Sequence, residues 1–394
     1  MEFDLARARR ETPGCEQVVH FNNAGAALMP DPVLEATVGH LRLEARIGGY
    51  EAAAHARQAL ERFYDSAAEL IGCGRDEIAF TENATRAWDM AFYSIPFRPG
   101  DRILTGMAEY GSNYIAFLQV GRRTGARVEA IPNDEHGQIS IDALRDALDE
   151  RVKLIALSHV PTNGGLVNPA AAVGKVAREA GVLYLLDACQ SVGQMPVDVD
   201  DIGCDMLSAT GRKYLRGPRG TGFLYVRRSA TEKLEPAFLD LQAAQWVAPD
   251  RYEMRPDARR FENWECNVAG KVGLGVAVDY ALEWGLEAVY ARIRALAESL
   301  RAGLGGLPGV VVRDLGAERC GIVSFTVEGH DPADLCSALA RQGINVHVSR
   351  ASSTLLDMRA RGIDRLVRAS VHYYNSQEEV DRFCSAIEAV IMAR

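Results

Sequence analysis

The sequence predicts an α/β protein with a mostly parallel sheet, followed by a smaller α+β domain. Short apolar runs alternate with amphipathic stretches through the middle of the chain, which is typical of a layered α/β fold. Several runs are apolar at consecutive positions, as strands covered on both faces are. The alternation stops near residue 268, and 394 residues exceed one ordinary core, so we expect two domains.

The elements of the large domain follow from this alternation of patterns. The expected strands are Glu77–Thr81, Arg102–Thr105, Leu154–Ser158, Val182–Leu186, Met206–Ala209 and Gly222–Val226. The expected helices are Ala84–Ser94, Ser112–Thr124, Asp142–Asp149 and Ala170–Ala180. We assign residues 15–268 to this domain.

Residues 1–14 and 269–394 are assigned to the smaller domain. A long helical pattern covers Gly270–Leu304, with a break expected at Gly285. Strands and helices then follow close together, as in an α+β domain. They are the strands Val310–Arg313, Gly321–Thr326, Asn345–Val348 and Val367–Val371, the helix Asp331–Arg341, and a last helix from Gln377.

Composition excludes several classes of function. The net charge is −9 and there is no basic block, so we expect no nucleic-acid partner. The N-terminus is acidic where a signal peptide is basic, and no run is long enough to span a bilayer, so we expect no membrane contact. Eight scattered cysteines show no metal-ligand spacing, which predicts reduced thiols in the cytoplasm and no metal site.

Two residues 26 positions apart suggest a cofactor. Asp187 ends an apolar strand at the edge where α/β sheets bind ligands, and Lys213 follows the next strand in Thr-Gly-Arg-Lys. Alone, Asp187 is more often a helix cap or a structural ion-pair partner, and Lys213 a surface lysine. Together they match the needs of pyridoxal phosphate, namely an amine for a Schiff base and a carboxylate for the pyridinium nitrogen.

Asn83-Ala84-Thr85 is a candidate phosphate-binding turn, because it follows a strand and opens a helix whose free N–H groups attract anions. A plain helix cap is the alternative. The glycines at 217–222 lack the P-loop pattern, and those at 270–275 lack the order of a dinucleotide fingerprint, so both sets indicate turns or packing.

Seven motifs in order give the chain a family resemblance. They are Phe21–Gly25, Thr81–Thr85, Glu109–Asn113, Ser158–Gly165, Asp187–Ser191, Thr210–Lys213 and Val367–Asn375. The chain resembles the class V aminotransferase-type pyridoxal phosphate enzymes of fold type I, a group with cysteine desulfurases, cysteine C–S lyases and isopenicillin N epimerase-like proteins. The resemblance implies a seven-stranded large-domain sheet, a homodimer and a small amino-acid substrate.

The resemblance also implies roles for individual residues. Lys213 would form the Schiff base, Asp187 would pair with the ring nitrogen, and Tyr110 would stack on the ring. Arg368 and Asn23 would bind the substrate. The remaining cofactor contacts would come from Ala84, Thr85, Asn163, Gln190, Thr210 and Arg212.

Two departures from the family pattern decide the expected reaction. Tyr110 replaces a stacking histidine, and tyrosine does not exchange protons near neutral pH, so Lys213 carries the proton transfer. The loop at 348–357 lacks the nucleophilic cysteine of desulfurases, while Cys336 and Cys384 lie in helical patterns. We therefore predict a C–S β-lyase that converts a cysteine thioether or sulfoxide to pyruvate and ammonia.

Other reactions rank below the lyase. Epimerisation needs a second proton donor such as Tyr110 or Ser352, transamination is the third choice, and desulfuration ranks low because of the missing loop cysteine. A non-catalytic scaffold would not need Lys213, Asp187 and Arg368 together. The segment at 259–267 would form a site edge or a dimer seam, and Glu265 stands where the family has a threonine from the other subunit.

Overall fold

The computed structural model describes residues 3–393. The α-helices are α1 Leu5–Arg10, α2 Asp31–Ile47, α3 Gly49–His55, α4 Arg57–Ile71, α5 Ala84–Phe92, α6 Gly111–Thr124, α7 Ile141–Asp146, α8 Ala170–Ala180, α9 Val199–Ile202, α10 Arg228–Thr231, α11 Val268–Trp284, α12 Leu286–Gly305, α13 Pro332–Ala340, α14 Leu355–Ala360 and α15 Gln377–Met392. The strands are β1 Val19–His20, β2 Ile78–Thr81, β3 Arg102–Gly106, β4 Arg127–Ile131, β5 Val152–Ser158, β6 Leu183–Asp187, β7 Met206–Thr210, β8 Gly222–Val226, β9 Ala244–Ala248, β10 Arg251–Met254, β11 Val310–Val312, β12 Ile322–Val327, β13 Ile344–Asn345, β14 His347–Arg350 and β15 Arg365–Ser370.

The larger sheet has seven strands in the order β2-β8-β7-β6-β5-β3-β4, and β8 alone runs antiparallel to its neighbours. Every residue of β7 and β8 is buried, as expected for strands covered by helices on both faces. The predicted fold class is therefore confirmed. Because the other six strands run in one direction, their carboxyl ends meet at one edge of the sheet.

The strands that the sequence analysis missed lie at sheet edges or outside the large sheet. β4 is an edge strand with exposed Arg127 and Glu129 on alternate positions, so its pattern lacks the apolar run of a covered strand. β9 and β10 form a separate antiparallel hairpin whose side chains are mostly exposed. Neither has the buried apolar signature on which the predictions relied.

The C-terminal region contains a four-stranded antiparallel sheet, in the order β11-β12-β15-β14. The helical pattern that leads into it breaks at Gly285, as predicted, because this residue adopts a left-handed φ of 76°. One hydrophobic core spans β5 and β6 of the large sheet and β12 and β15 of the small one. The smaller sheet is thereby held against the larger one, although the boundary at residue 268 stays a prediction.

Candidate active site

Residues at or just after the ends of five strands line one cavity of about 450 Å³, a size typical of small-molecule sites. The strands are β2, β3, β5, β6 and β7, and the cavity lies beyond their carboxyl ends, where α/β sheets bind ligands. The lining residues are Asn83, Ala84, Thr85, Tyr110, Ser158, Val160, Thr162, Asp187, Cys189, Gln190, Thr210, Arg212 and Lys213.

Asp187 is a buried carboxylate at the end of β6. One of its oxygens accepts a hydrogen bond from Asn113 Nδ2 at 2.9 Å, and the other from the Cys189 main-chain N–H at 3.0 Å. Within residues 3–393 it has no ion pair, although a buried carboxylate is costly without a positive partner. A protonated pyridine nitrogen would supply the missing positive charge.

Behind Asp187 lies a second buried carboxylate, Glu109. Its oxygens accept hydrogen bonds from the main-chain N–H of Tyr110 at 2.9 Å and of Ser158 at 2.9 Å. The side chains of Asn113, Ser158 and Thr105 donate to it at 2.8, 2.7 and 3.0 Å. Burial raises the pKa of Glu109, and the hydrogen bonds from Ser158 and Asn113 oppose that rise. Glu109 thus links the strand ends of β3 and β5. Asn113 bonds to both Glu109 and Asp187, so it connects the two carboxylates.

Lys213 reaches the cavity from the turn after β7. Burial lowers the pKa of its ammonium group, and the positive charges of Arg212 and Arg368 lower it further, while Asp187 opposes them. A lysine in such a place is readily deprotonated, and only the neutral amine attacks an aldehyde. The environment therefore fits a lysine that attaches a carbonyl cofactor covalently.

Another part of the cavity lining suits a phosphate group. Helix α5 begins there, and the Asn83 side chain caps it by accepting from the Arg86 N–H at 2.9 Å. The cap leaves the Ala84 and Thr85 positions facing the cavity, beside Thr210 and Arg212. The turn therefore fits both interpretations, the helix cap and the phosphate-binding turn, since one side chain caps the helix while its neighbours line an anion site.

Gly222 holds this helix end close to the sheet. A Cβ atom at position 222 would lie 2.5 Å from the Ala209 carbonyl oxygen and 3.1 Å from the Ala84 nitrogen. Only glycine permits such a close approach, so the start of β8 sets the distance between α5 and β7. Gly222 is thus needed for packing, whereas Gly220 has a left-handed φ of 76° and open space around it, so the stretch combines packing and turn glycines.

A second cavity of about 380 Å³ adjoins the first and shares Tyr110, Thr162, Arg212 and Lys213 with it. Its main buried charge is Arg368 of β15, which donates to the Thr162 hydroxyl at 2.8 Å and carbonyl at 3.0 Å. The Arg368 Nε atom is buried without a partner in the described chain. Burial lowers the pKa of Arg368 to about 10, and the site would gain from a carboxylate ligand.

One predicted substrate residue needs correction. Asn23 is fully buried, and its amide donates to the carbonyls of His20 at 3.1 Å and Ser370 at 2.7 Å. It also accepts from the Tyr374 hydroxyl. Its neighbour Asn22 lines the second cavity instead, 3.4 Å from Arg368. The sequence did not reveal which of the two adjacent asparagines faces the cavity.

Two other predicted cofactor residues occupy different walls. Gln190 lines the first cavity and donates to the Ala24 carbonyl at 3.1 Å. Asn163 lines the second cavity, where it donates to the Thr354 hydroxyl at 2.9 Å and the Arg350 carbonyl at 3.3 Å. Asn163 therefore ties the second cavity to the loop after β14.

The cysteines considered as sulfur acceptors are half-buried, and one of them lines the site. Cys189 is the cysteine that lines the first cavity, and burial raises its pKa well above the ordinary value. Cys336 and Cys384 lie within α13 and α15, where burial raises their pKa values to about 12 and about 11. Such thiols are poor nucleophiles.

The segment at 259–267 lies elsewhere in the described chain. Glu265 and the exposed Trp264 line a third cavity with Tyr50 and Gln242.

The sequence predicted most lining residues of the first cavity but missed several others that line or support the two cavities. Those missed are Asn22, Glu109, Asn113, Ser158, Val160, Thr162, Cys189, Arg219 and His347. Glu109 carried a usable signal, because it follows a strand end as Asp187 does.

The fold and this site define an enzyme that binds pyridoxal phosphate: an unpaired buried carboxylate, a lysine with a lowered pKa and a helix N-terminus stand at one sheet edge. The family model "Aminotransferase class-V" matches residues 19–383. The chain therefore belongs to the class V aminotransferase family, and pyridoxal phosphate is its cofactor.

Relatives and solved structures show which members of this family the chain is similar to. A protein named "Probable cysteine desulfurase" from Methanothermobacter thermautotrophicus is 30% identical over 388 residues, which cover 97% of each chain. The apo structure of a cysteine desulfurase from Thermococcus onnurineus NA1 is 28% identical, with a TM-score of 0.92 and coverage of 100% and 99%. A mutant of the protein C-DES, with glycine covalently linked to its pyridoxal phosphate cofactor, is 25% identical, with a TM-score of 0.87 and coverage of 96% and 98%.

These relatives overturn the predicted reaction. The C–S β-lyase prediction is wrong, as are the epimerase and aminotransferase alternatives, because the similar proteins are named cysteine desulfurases. The low rank given to desulfuration rested on the missing cysteine at 348–357. That reasoning assumed that the sulfur acceptor must belong to this chain.

Between residues 3 and 393, no helix combines the length and the apolar content that crossing a membrane requires. In the same range, no group of three or more His, Cys, Asp or Glu side chains is placed to hold a metal ion.

Proposed function

We propose that the protein is a cysteine desulfurase, which removes the sulfur of L-cysteine and leaves L-alanine. The observation that carries the proposal is the full-length similarity to proteins of that name. The site agrees with it, because one cavity suits the cofactor and an adjoining one offers Arg368 to the carboxylate of a small amino acid.

Bound pyridoxal phosphate supplies an electron sink for the charge that develops on the substrate carbon. Asp187 keeps a proton on the ring nitrogen, and Glu109 with Asn113 holds Asp187 in place. Lys213 would hold the aldehyde of the cofactor through Nζ, and the same amine would move the proton of the substrate Cα. Its lowered pKa leaves the amine able to accept that proton.

The N-terminus of α5, with Thr85, Thr210 and Arg212, would hold the phosphate. Arg368 orients the substrate by binding its carboxylate, and the Thr162 hydroxyl and carbonyl hold the guanidinium in position. Tyr110 forms an aromatic wall shared by both cavities. With these roles the cofactor would occupy the first cavity, and the substrate carboxylate would lie at Arg368 in the adjoining one.

Product analysis tests the proposal. The protein is loaded with pyridoxal phosphate, supplied with L-cysteine and an excess of a small thiol, and assayed for alanine, pyruvate and ammonia. We expect alanine in an amount equal to the sulfane sulfur formed. Lys213→Ala serves as the control, since residual alanine with it would come from free cofactor. Pyruvate with ammonia and no alanine would refute desulfuration.

We also propose that the protein works as a homodimer in the cytoplasm. Large apolar side chains are exposed between residues 238 and 264, where Leu241, Trp246 and Trp264 are 74%, 71% and 59% exposed. An exposed cluster of this kind is typical of a protein interface. Sedimentation analysis should give twice the chain mass of 43.0 kDa, and Trp246→Glu should lower it. The eight free cysteines suit a reducing compartment.

A further inference from the structure

We propose that the second cavity admits a small anionic thiol from solution, and that this thiol accepts the sulfur. The inference rests on the proposed desulfurase function and names the co-substrate of the same site. Two independent observations support it, namely where the thiols of this chain lie and which charges line the cavity.

No cysteine of the described chain lines the second cavity. The loop above it, from β14 to α14, presents Ser349, Ser353 and the buried Thr354, whose hydroxyl is engaged by Asn163. Cys189 lies in the first cavity beside Asp187, is half-buried, and has a thiol pKa raised well above its ordinary value by desolvation. A sulfur acceptor must be a thiolate that reaches the substrate, so these positions favour one from outside the chain.

The charges of the second cavity favour an anion. Its lining includes Arg212, Lys213, Arg219 and Arg368, together with His347, and no carboxylate among the described residues. The cofactor phosphate and the substrate carboxylate account for Arg212 and Arg368, and Lys213 serves the covalent step. Arg219 and His347 have no role in binding the cofactor or the substrate carboxylate, and both are exposed at the cavity mouth.

The positive groups around the cavity act on one another. Burial lowers the pKa of Arg212, which Cys189 opposes and the charge of Arg219 adds to. Burial also lowers the pKa of His347, and the charges of Arg368 and Arg350 lower it further. A field that disfavours cations favours the thiolate form of an incoming thiol and concentrates anionic molecules at the mouth. The cavity of about 380 Å³ suits a small molecule rather than a protein loop.

The transfer balances without an added oxidant. The acceptor thiolate attacks the substrate sulfur, a sulfur–sulfur bond forms, and the bond between Cβ and that sulfur breaks. The electron pair stays with Cβ, which then takes up a proton. The sum is cysteine plus a thiol giving alanine plus a persulfide of that thiol.

The experiment compares three thiols of similar size: 3-mercaptopropionate, 2-mercaptoethanol and thiocholine, which are anionic, neutral and cationic. Alanine formation by the loaded protein is measured against the concentration of each. We expect kcat/KM to decrease in that order. Arg219→Gln should reduce the ratio of the anionic to the neutral thiol about fivefold, as for loss of one partly exposed ion pair. Arg178→Gln, at a cavity elsewhere on the surface, should leave the ratio unchanged.

Other results would overturn the inference in distinguishable ways. Equal rates with all three thiols, or alanine only with a protein thiol, would overturn it and leave desulfuration standing. A persulfide on a cysteine of this chain, formed with one equivalent of alanine before any thiol is added, would do the same. Absence of alanine with every acceptor would refute the proposed function and the inference together.

Discussion

The buried carboxylate of Glu109 allows a sharp test of the polar network under the cofactor site. Its Oε1 atom accepts from the Tyr110 main-chain N–H and its Oε2 atom from that of Ser158. In Glu109→Gln, either orientation of the new amide points its NH₂ group at one of these two main-chain donors. A variant with almost the same shape therefore leaves one buried N–H without an acceptor.

The single unpaired N–H sets the size of the expected loss of stability in Glu109→Gln. One unsatisfied buried donor costs about 1–3 kcal/mol, and the remaining bonds lose the charge assistance of a carboxylate. Relief of the desolvation of Glu109 and of its repulsion by Asp187 offsets part of that loss. We expect the free energy of unfolding to decrease by about 3 kcal/mol, on the scale of broken buried networks.

Urea unfolding of the cofactor-free protein measures the change, and Glu150→Gln, an exposed matched substitution, should alter it by less than about 0.5 kcal/mol. The variant should unfold in one transition with an unchanged denaturant slope, so that the midpoints are comparable. A Glu109→Gln midpoint equal to that of the unmodified protein would refute the argument that the converging donors require a carboxylate.

Three further predictions concern the site and its surroundings. Lys213→Ala should lose covalent cofactor attachment, so borohydride reduction adds the cofactor mass only to the unmodified protein, and alanine formation should decrease at least about 100-fold. Gly222→Ala should push α5 from β7, weakening cofactor binding and lowering stability by about 2 kcal/mol, as seen by absorbance titration and urea unfolding. Burial lowers the pKa of His159 to about 4, so this neutral imidazole stabilises the fold above pH 6.5 and loses that contribution as pH decreases toward 4. His159→Gln should remove roughly 3 kcal/mol of acid destabilisation in that window, measured by urea unfolding at several pH values.

A different result would contradict each of these three predictions. Covalent cofactor on another lysine of the Lys213→Ala protein would move the Schiff base elsewhere. Unchanged cofactor affinity in Gly222→Ala would mean that the start of α5 does not bind the phosphate. Parallel pH profiles for His159→Gln and the unmodified protein would mean that the imidazole is protonated without cost.

The sequence determined the elements whose signals are local. The run before Asp187 predicted a covered strand with a carboxylate at its end, and Gly285 predicted the break between α11 and α12. Periodicity and glycine conformation act within a few residues, so one sequence suffices to recognise them. The edge strand β4 was not predicted because two of its five residues are exposed and its pattern lacks a buried run.

The tertiary structure decided everything that depends on residues far apart in the chain. Packing brings Arg368 to Thr162, joins Glu109 to Ser158, and turns Asn22 rather than Asn23 toward the cavity. It also gathers Arg219 and His347 at one mouth. The sequence alone identified the cofactor chemistry, because Asp187 ends one strand and Lys213 follows the next strand along the chain. The charges that face the substrate and the sulfur acceptor come from segments that only folding brings together.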